Sequence, residues 1–292
     1  MRDLVAELMK VRTRWLPYVV LITLIAGAAA QVLLFGVVAY HAEQGEADYG
    51  DAPPGLRSFA MPWALHTMLD SGQFWGAIFI AFVVASVVAT DYGWGTVRLA
   101  IARGQSRSRY LATKLLGTTL TSAALLLLTL AIAVSMALTA SHFEGVPITL
   151  AVRGGPSAAE VPVMVLRAGM GILPYGMLAF CLAVIGRSTT LGATGLLVYK
   201  LGESILLPLF ENLGGRWADL QVLFIGHYAD ALIAANRVDN REYASLAFRS
   251  NPVAADLPDP WIAAAMIGVW TAGLAAIAFG VFAGRDLNAR VD

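Results

Sequence analysis

Charge is scarce in this sequence. Only 14% of its 292 residues are Asp, Glu, Lys or Arg, and 58% are apolar. A soluble domain runs near a quarter charged and under half apolar. With a mean hydropathy of +0.68, the chain cannot cover itself with polar surface in water, and a bilayer is its natural solvent. Acidic and basic residues balance at zero net charge, which excludes a global pull toward nucleic acid. The single cysteine, Cys181, sits inside an apolar run. It excludes an internal disulfide, a Cys-x-x-Cys redox pair and a haem attachment site, and reads as a small core residue.

Catalytic signatures are missing as well. No Gly-x-x-x-x-Gly-Lys-Ser/Thr loop occurs, and no dinucleotide fingerprint, His-Glu-x-x-His helix or Gly-x-Ser-x-Gly elbow. The chain is therefore not expected to be an enzyme or to bind a cofactor of its own. Its histidines, His41, His66, His142 and His227, share no metal-binding spacing. They read as isolated solvated or interfacial residues, and no metal is expected.

Long apolar runs are present instead. A membrane-crossing helix needs roughly 20 mostly apolar residues, and six segments qualify: Pro17 to Tyr40, Gln73 to Thr90, Leu115 to Ala140, Val163 to Gly186, Leu191 to Phe210 and Trp261 to Gly284. The first continues past Gln31 to Tyr40, too far for the apolar core of a signal peptide, so it reads as an uncleaved span. The expected fold is an all-α polytopic membrane protein, one permease-like domain over residues 1–292. An interfacial helix at 1–16, a loop at 91–114 and an outer segment at 211–260 complete it.

Orientation follows from Lys and Arg between the spans. Arg2, Lys10, Arg12, Arg14, Arg98, Arg103, Arg107, Arg109, Lys114, Arg187, Arg285 and Arg290 fall on one side. Arg57, Arg153, Arg167, Arg216, Arg237, Arg241 and Arg249 fall on the other, four of them in one long loop where the rule has little force. The richer side reads as cytoplasmic, with both termini there and the chain in the cell membrane. Glu43, Glu46, Asp48, Asp51 and Asp70 around the first outer loop agree.

Within the first fifteen residues, Leu4, Val5, Leu8, Val11 and Trp15 recur near the helical period, with Asp3, Glu7, Lys10 and Arg14 mostly opposite. This predicts an amphipathic helix on the cytoplasmic interface, anchored by Trp15 and turning at Pro17. With Lys10, Arg14 and Trp15 at the interface, it is either a plain positive flank or a lateral helix that contacts a cytoplasmic partner.

The segment Thr90 to Lys114, TDYGWGTVRLAIARGQSRSRYLATK, is the most informative. Asp91 ends the second span at the surface. Gly93 and Gly95 permit a turn, Thr96 caps a short helix over Val97 to Arg103, and Gly104 closes it. Ser106 caps a second helix running from Arg107 into the third span. Carried to Ala140, that helix is on the order of 50 Å long, against a hydrocarbon core of ~30 Å. About three basic turns should project beyond the membrane. On residues alone, the basic loop either merely holds this side inside or forms a lever between two spans.

This segment resembles the first cytoplasmic loop of type-2 ABC export permeases. The matching features are Asp91, Gly95-Thr96, the apolar helix Val97 to Ala102, Arg103-Gly104, Ser106-Arg107, Arg109 and Lys114. The six-span layout, with a basic amphipathic start and a long outer loop before the last span, is similar too. Asp91 stands where glutamate is commoner, and Gly104 where proline is. The resemblance implies a transmembrane subunit of an ATP-driven exporter, paired with a second permease copy, itself or a relative. Thr96 to Arg103, with Arg98, would dock on a cytoplasmic ATPase subunit that carries the ATP and Mg²⁺. Arg107, Arg109 and Lys114 would form a basic collar beside it. The substrate stays open.

Two charges interrupt the fifth span. Lys200 falls near mid-membrane, where a charge costs ~2.5–3.5 kcal/mol on insertion scales. Glu203 is one turn on, so the pair can meet on one face, and Arg167 is within reach of Glu203. The set is either a buried structural pair or a polar element of the translocation path or subunit interface. Pro174, Gly169, Gly171 and Gly176 predict a kink or close packing in the fourth span. Trp217, Leu220, Phe224, Tyr228 and Leu232 predict one amphipathic helix from Arg216 to Ala235 that rests on the outer leaflet or dips into it, as a cap or a gate. Asn236 to Pro260 reads as loop. An ion-coupled secondary transporter, a membrane-embedded enzyme and a non-transporting anchor or sensor subunit are the alternatives.

Overall fold

The computed structural model of the chain describes residues 2–43, 55, 58–61, 63–146, 148, 159–236 and 257–284. Arg57, Arg153, Arg237, Arg241, Arg249, Arg285 and Arg290, with Glu46, Asp48, Asp51 and most of the loop before the last span, lie outside them. So do the side chains of Arg2, Asp3 and Glu43.

The described residues are mostly helical, with no strand among them. Their order begins with α1 (Arg2–Arg12) and α2 (Leu16–Val32), which passes through a π-helical turn (Leu33–Val38) into α3 (Ala39–Glu43). There follow α4 (Trp63–Gly93), the short α5 (Thr96–Ala102), α6 (Arg107–Phe143), α7 (Val161–Gly186) and α8 (Thr189–Leu213). A 3₁₀ segment (Gly215–Leu223), α9 (Ile225–Ala234) and α10 (Pro260–Gly284) complete the order. The α2–α3 run, α4, α6, α7, α8 and α10 are each long and apolar enough to cross a membrane. The protein is an all-α polytopic membrane protein.

All six expected spans are found, and most are longer than expected. The second starts at Trp63, ten residues before Gln73, with His66, Thr67 and Asp70 carried in the first turns of the helix. Arg107–Phe143 spans 37 residues, as the projecting third helix requires. The fourth runs unbroken from Val161 to Gly186 through Pro174. Close packing occurs there at Gly171, where an added Cβ would stand 3.0 Å from the Gln73 side-chain oxygen.

Two helices form the interior. The most apolar windows of α4 and α7 are 67% and 61% buried, against 22% for each of the other four spans. Around them Ala77, Ile80, Val84, Tyr175, Phe180 and Leu196 pack into the main core. The outer faces of α2, α6, α8 and α10 keep large apolar side chains exposed, among them Ile22, Leu127, Ile205 and Val269. For a six-span chain that is the surface owed to lipid.

The segment expected as one amphipathic helix is two. Phe224 is extended (φ −108°, ψ 140°) and breaks it into the 3₁₀ segment and α9. Nor does α9 rest on the bundle's outside. Ile225, Gly226, His227, Tyr228, Ala229, Ala231, Leu232 and Ile233 are all buried, against α7, α8 and α10. The apolar spacing marked one stripe, but the intervening Gly226, Ala229 and Ala231 are small enough for neighbouring helices to close on the other side.

Candidate functional site

Ionised side chains collect in two places. The first lies where α1, α4, α5 and α6 meet. Lys114, about two turns into α6, is only 2% exposed. Its ammonium lies 2.5 Å from a Glu7 carboxylate oxygen and 2.5 Å from an Asp91 oxygen. Asp91 also accepts from the Tyr110 hydroxyl (2.7 Å) and from Arg14 (3.3 Å). Glu7 accepts from Lys10 at 2.7 Å. Each carboxylate therefore has at least two donors, as a charge removed from water requires.

These contacts revise three expectations. Asp91 does not end its span at the surface: it is 1% exposed, within a helix that continues to Gly93. Glu7 is not on the polar outer face of α1. It turns inward to Lys114, while Val5, Leu8 and Met9 are left exposed. Lys114 is no part of an exposed collar, because two buried carboxylates hold it inside. Close approach of α1 to α6 at Gly117, where an added Cβ would stand 3.3 Å from the Glu7 Cβ, makes that insertion possible.

The short helix hangs from this cluster. Gly95 rather than Thr96 is its N-cap, with φ +68°, a backbone that L side chains rarely adopt. The Thr96 hydroxyl instead donates to the Asp91 carbonyl at 3.1 Å, tying the first turn of α5 to the end of α4. Val97 is buried beneath α5. Gly104, at φ +89°, closes the helix as expected. Ser106 caps α6, accepting from the Arg109 amide. Outward from this mount face Trp94, Arg98, Leu99 and Arg103, with Arg109 on the adjoining turn. Arg107 is half-buried and donates to the Ala283 carbonyl at 2.7 Å, fastening α6 to the last turn of α10. Of the residues expected to dock a partner, then, Arg98, Arg103 and Arg109 present charge outward. Asp91, Gly95, Thr96 and Lys114 build the mount.

The second cluster lies between α4, α7, α8 and α9. Lys200 and Glu203 pair one turn apart at 3.3 Å, both buried, as their spacing predicts. Tyr175 of α7 joins them: it donates to Glu203 at 2.6 Å and accepts from Lys200 at 2.7 Å. Phe74 and Tyr175 present ring faces to the ammonium. The remaining Glu203 oxygen accepts from the Gly226 amide at 2.6 Å, and the Tyr199 hydroxyl accepts from the Ile225 amide at 3.1 Å. These two amides belong to the first turn of α9, where a helix has no internal acceptors.

Arg167 does not join this pair. It donates to the Ala235 carbonyl at 3.0 Å and the Asn236 side chain at 3.3 Å, at the opposite end of α9. A ten-residue helix is about 15 Å long, so α9 itself separates Arg167 from Glu203. A carboxylate thus stands at the N-terminus of α9 and a guanidinium at its C-terminus, the arrangement that its dipole favours.

The four histidines do not behave alike. His227, on α9, is buried, and burial lowers its pKa, which favours the neutral ring. That corrects its reading as solvated or interfacial. His41 lies 2.9 Å from Glu144. Cys181 is buried and unpaired, as a core residue should be.

No curated protein matches the chain. One family does, a protein family of unknown function designated DUF2705, whose sequence profile matches residues 64–233. That stretch holds α4 to α9 but for a residue at each end, and with them the loop helix, the central cluster and half of the basic-end cluster (Asp91, Tyr110 and Lys114). Since it exceeds half the length, the chain belongs to the DUF2705 family.

Proposed function

We propose that the protein is the transmembrane permease subunit of an ATP-driven exporter, coupling hydrolysis on a separate ATPase to movement of a substrate across the cell membrane. The observation that carries this reading is the mounting of α5. A seven-residue helix lies between the ends of two long spans, roots itself on a buried ionic cluster, and turns Trp94, Arg98, Leu99 and Arg103 outward. Exposed charge interleaved with large apolar groups suits a polar protein surface better than hydrocarbon. Force applied there passes to α4 through Asp91 and Thr96, to α6 through Lys114, and to α10 through Arg107.

In this reading the basic end of the bundle is cytoplasmic. ATP and Mg²⁺ belong to the partner, a second permease copy completes the translocation path, and α4 and α6 carry the movement in alternating access. The saturation of Glu203 by Tyr175, Lys200 and Gly226 favours a structural role for the central pair over an ion-coupled transport site.

The test is purification of the intact chain from its native membrane with whatever it holds, followed by charge reversal. A nucleotide-hydrolysing subunit should co-purify. Arg98→Glu with Arg103→Glu should weaken that association roughly tenfold or more, while the variant inserts and unfolds as the parent does. Retention of the ATPase at parental affinity by the doubly reversed protein would remove α5 from the interface.

A further inference from the structure

A cleft of about 390 Å³ opens at the basic end between the α1–α2 turn and the end of α4, lined by Lys10, Thr13, Arg14, Trp15, Asp91 and Trp94 among others. Its charge is unevenly buried. The carboxylates lie at the back: Asp91 is 2% exposed and Glu7, just behind the lining, 9%. The cations lie at the mouth, Lys10 at 45% and Arg14 at 12%. With Lys114 included, three cations face two carboxylates, so the cleft keeps one net positive charge, presented outward. The hydroxyls of Thr13, Thr90 and Thr96 already donate to backbone carbonyls. Lys10 gives an N–H to Glu7, and Arg14 gives two of its five to Asp91 and the Ser86 carbonyl; the N–H groups they have left are charged donors suited to an anion.

Trp15 and Trp94 flank this mouth, each 73% exposed, with the Arg14 guanidinium 5.8 Å from the Trp94 ring. Exposed tryptophans at the junction of two membrane helices mark the headgroup level. We infer that the cleft is a headgroup site for an anionic phospholipid, with the phosphodiester on Lys10 and Arg14 and the acyl chains running down the exposed apolar face of α2. It touches α1, α2, α4 and, through Thr96, the root of α5. A lipid seated there braces the loop helix against the membrane surface, whatever binds the outer face of that helix.

The intact protein is reconstituted in nanodiscs of phosphatidylcholine alone or with one-fifth phosphatidylglycerol, and the lipid retained on gentle detergent release is counted by native mass spectrometry. Phosphatidylglycerol should be retained in preference. Lys10→Gln should reduce that preference about fivefold, the worth of one basic residue at an anionic surface. Lys10→Arg should restore it, and Arg103→Gln, which removes a charge from the same end without lining the cleft, should leave it unchanged. Equal retention of the two lipids overturns the assignment, and so does an equal loss in Lys10→Gln and Arg103→Gln, which would mean general surface charge. Displacement of the retained lipid by millimolar inorganic phosphate would overturn the lipid and leave a free-anion site.

Discussion

The two buried ionic clusters are built from the same materials and do opposite jobs. At the basic end, Lys114 answers two carboxylates that come from 107 and 23 residues earlier in the chain, and the bonds join three helices. At the centre, Lys200 answers one carboxylate a single turn away on its own helix. The cross-links there are made by neutral partners, Tyr175 and the first amides of α9. The first cluster holds helices together by charge, the second by hydrogen bonds to a charge. Removing a cation should therefore be far more costly in the first.

Lys114→Met is the severest way to break this contrast. Asp91 keeps Tyr110 and Arg14, and Glu7 keeps Lys10, but two buried carboxylates lose the cation that joins them at 2.5 Å to each, for which a loss of about 3–5 kcal/mol is expected. Lys200→Met should cost less, about 2 kcal/mol, because Glu203 keeps the Tyr175 hydroxyl and the Gly226 amide. Unfolding of both purified variants in a graded series of SDS in mixed micelles measures the difference. Equal losses would mean that the two lysines are interchangeable space-fillers, and the contrast would fail.

Gly226→Ala sharpens the second half of the comparison. An added Cβ would stand 2.7 Å from the Glu203 carboxyl carbon and 2.9 Å from the Leu207 side chain. The carboxylate must then leave the α9 amide or push α9 outward, an overpacking cost of about 1–3 kcal/mol. The distinguishing readout is hydrogen exchange. Amides of α9 should lose protection while those of α4 keep theirs, whereas Lys114→Met should loosen α1 and the end of α4 and spare α9.

What the sequence made legible follows the same division. The central pair could be read because its members are one turn apart and helical spacing alone places them on one face. The six spans could be read because twenty apolar residues have few other uses. The basic-end cluster was half visible. Asp91 and Lys114 stood out as part of a loop pattern, but nothing in a linear sequence says that Glu7 will reach a lysine 107 positions away, and its place on an amphipathic helix suggested the opposite face. Arg167 was placed with Glu203 on proximity along their spans. The burial of α9 between them comes from helix packing, which apolar periodicity does not encode. Tyr175 gave no signal beyond being an aromatic in an apolar run.

The smallest effect tests whether α9 is held by its end amides or merely by its apolar surface. Tyr199→Phe keeps the ring and removes only the hydroxyl that accepts from the Ile225 amide. If the first turn of α9 depends on borrowed acceptors, the loss should be about 1 kcal/mol, with faster exchange confined to the first turn. If apolar packing alone keeps α9 in place, the variant should unfold with the parent, since Ile225, Leu232 and Ile233 remain buried. A null result in Tyr199→Phe alongside a loss in Gly226→Ala would assign the clamp to Glu203 alone. A loss in both would make the side-chain caps from α8 a joint anchor for a helix too short to be stable by itself.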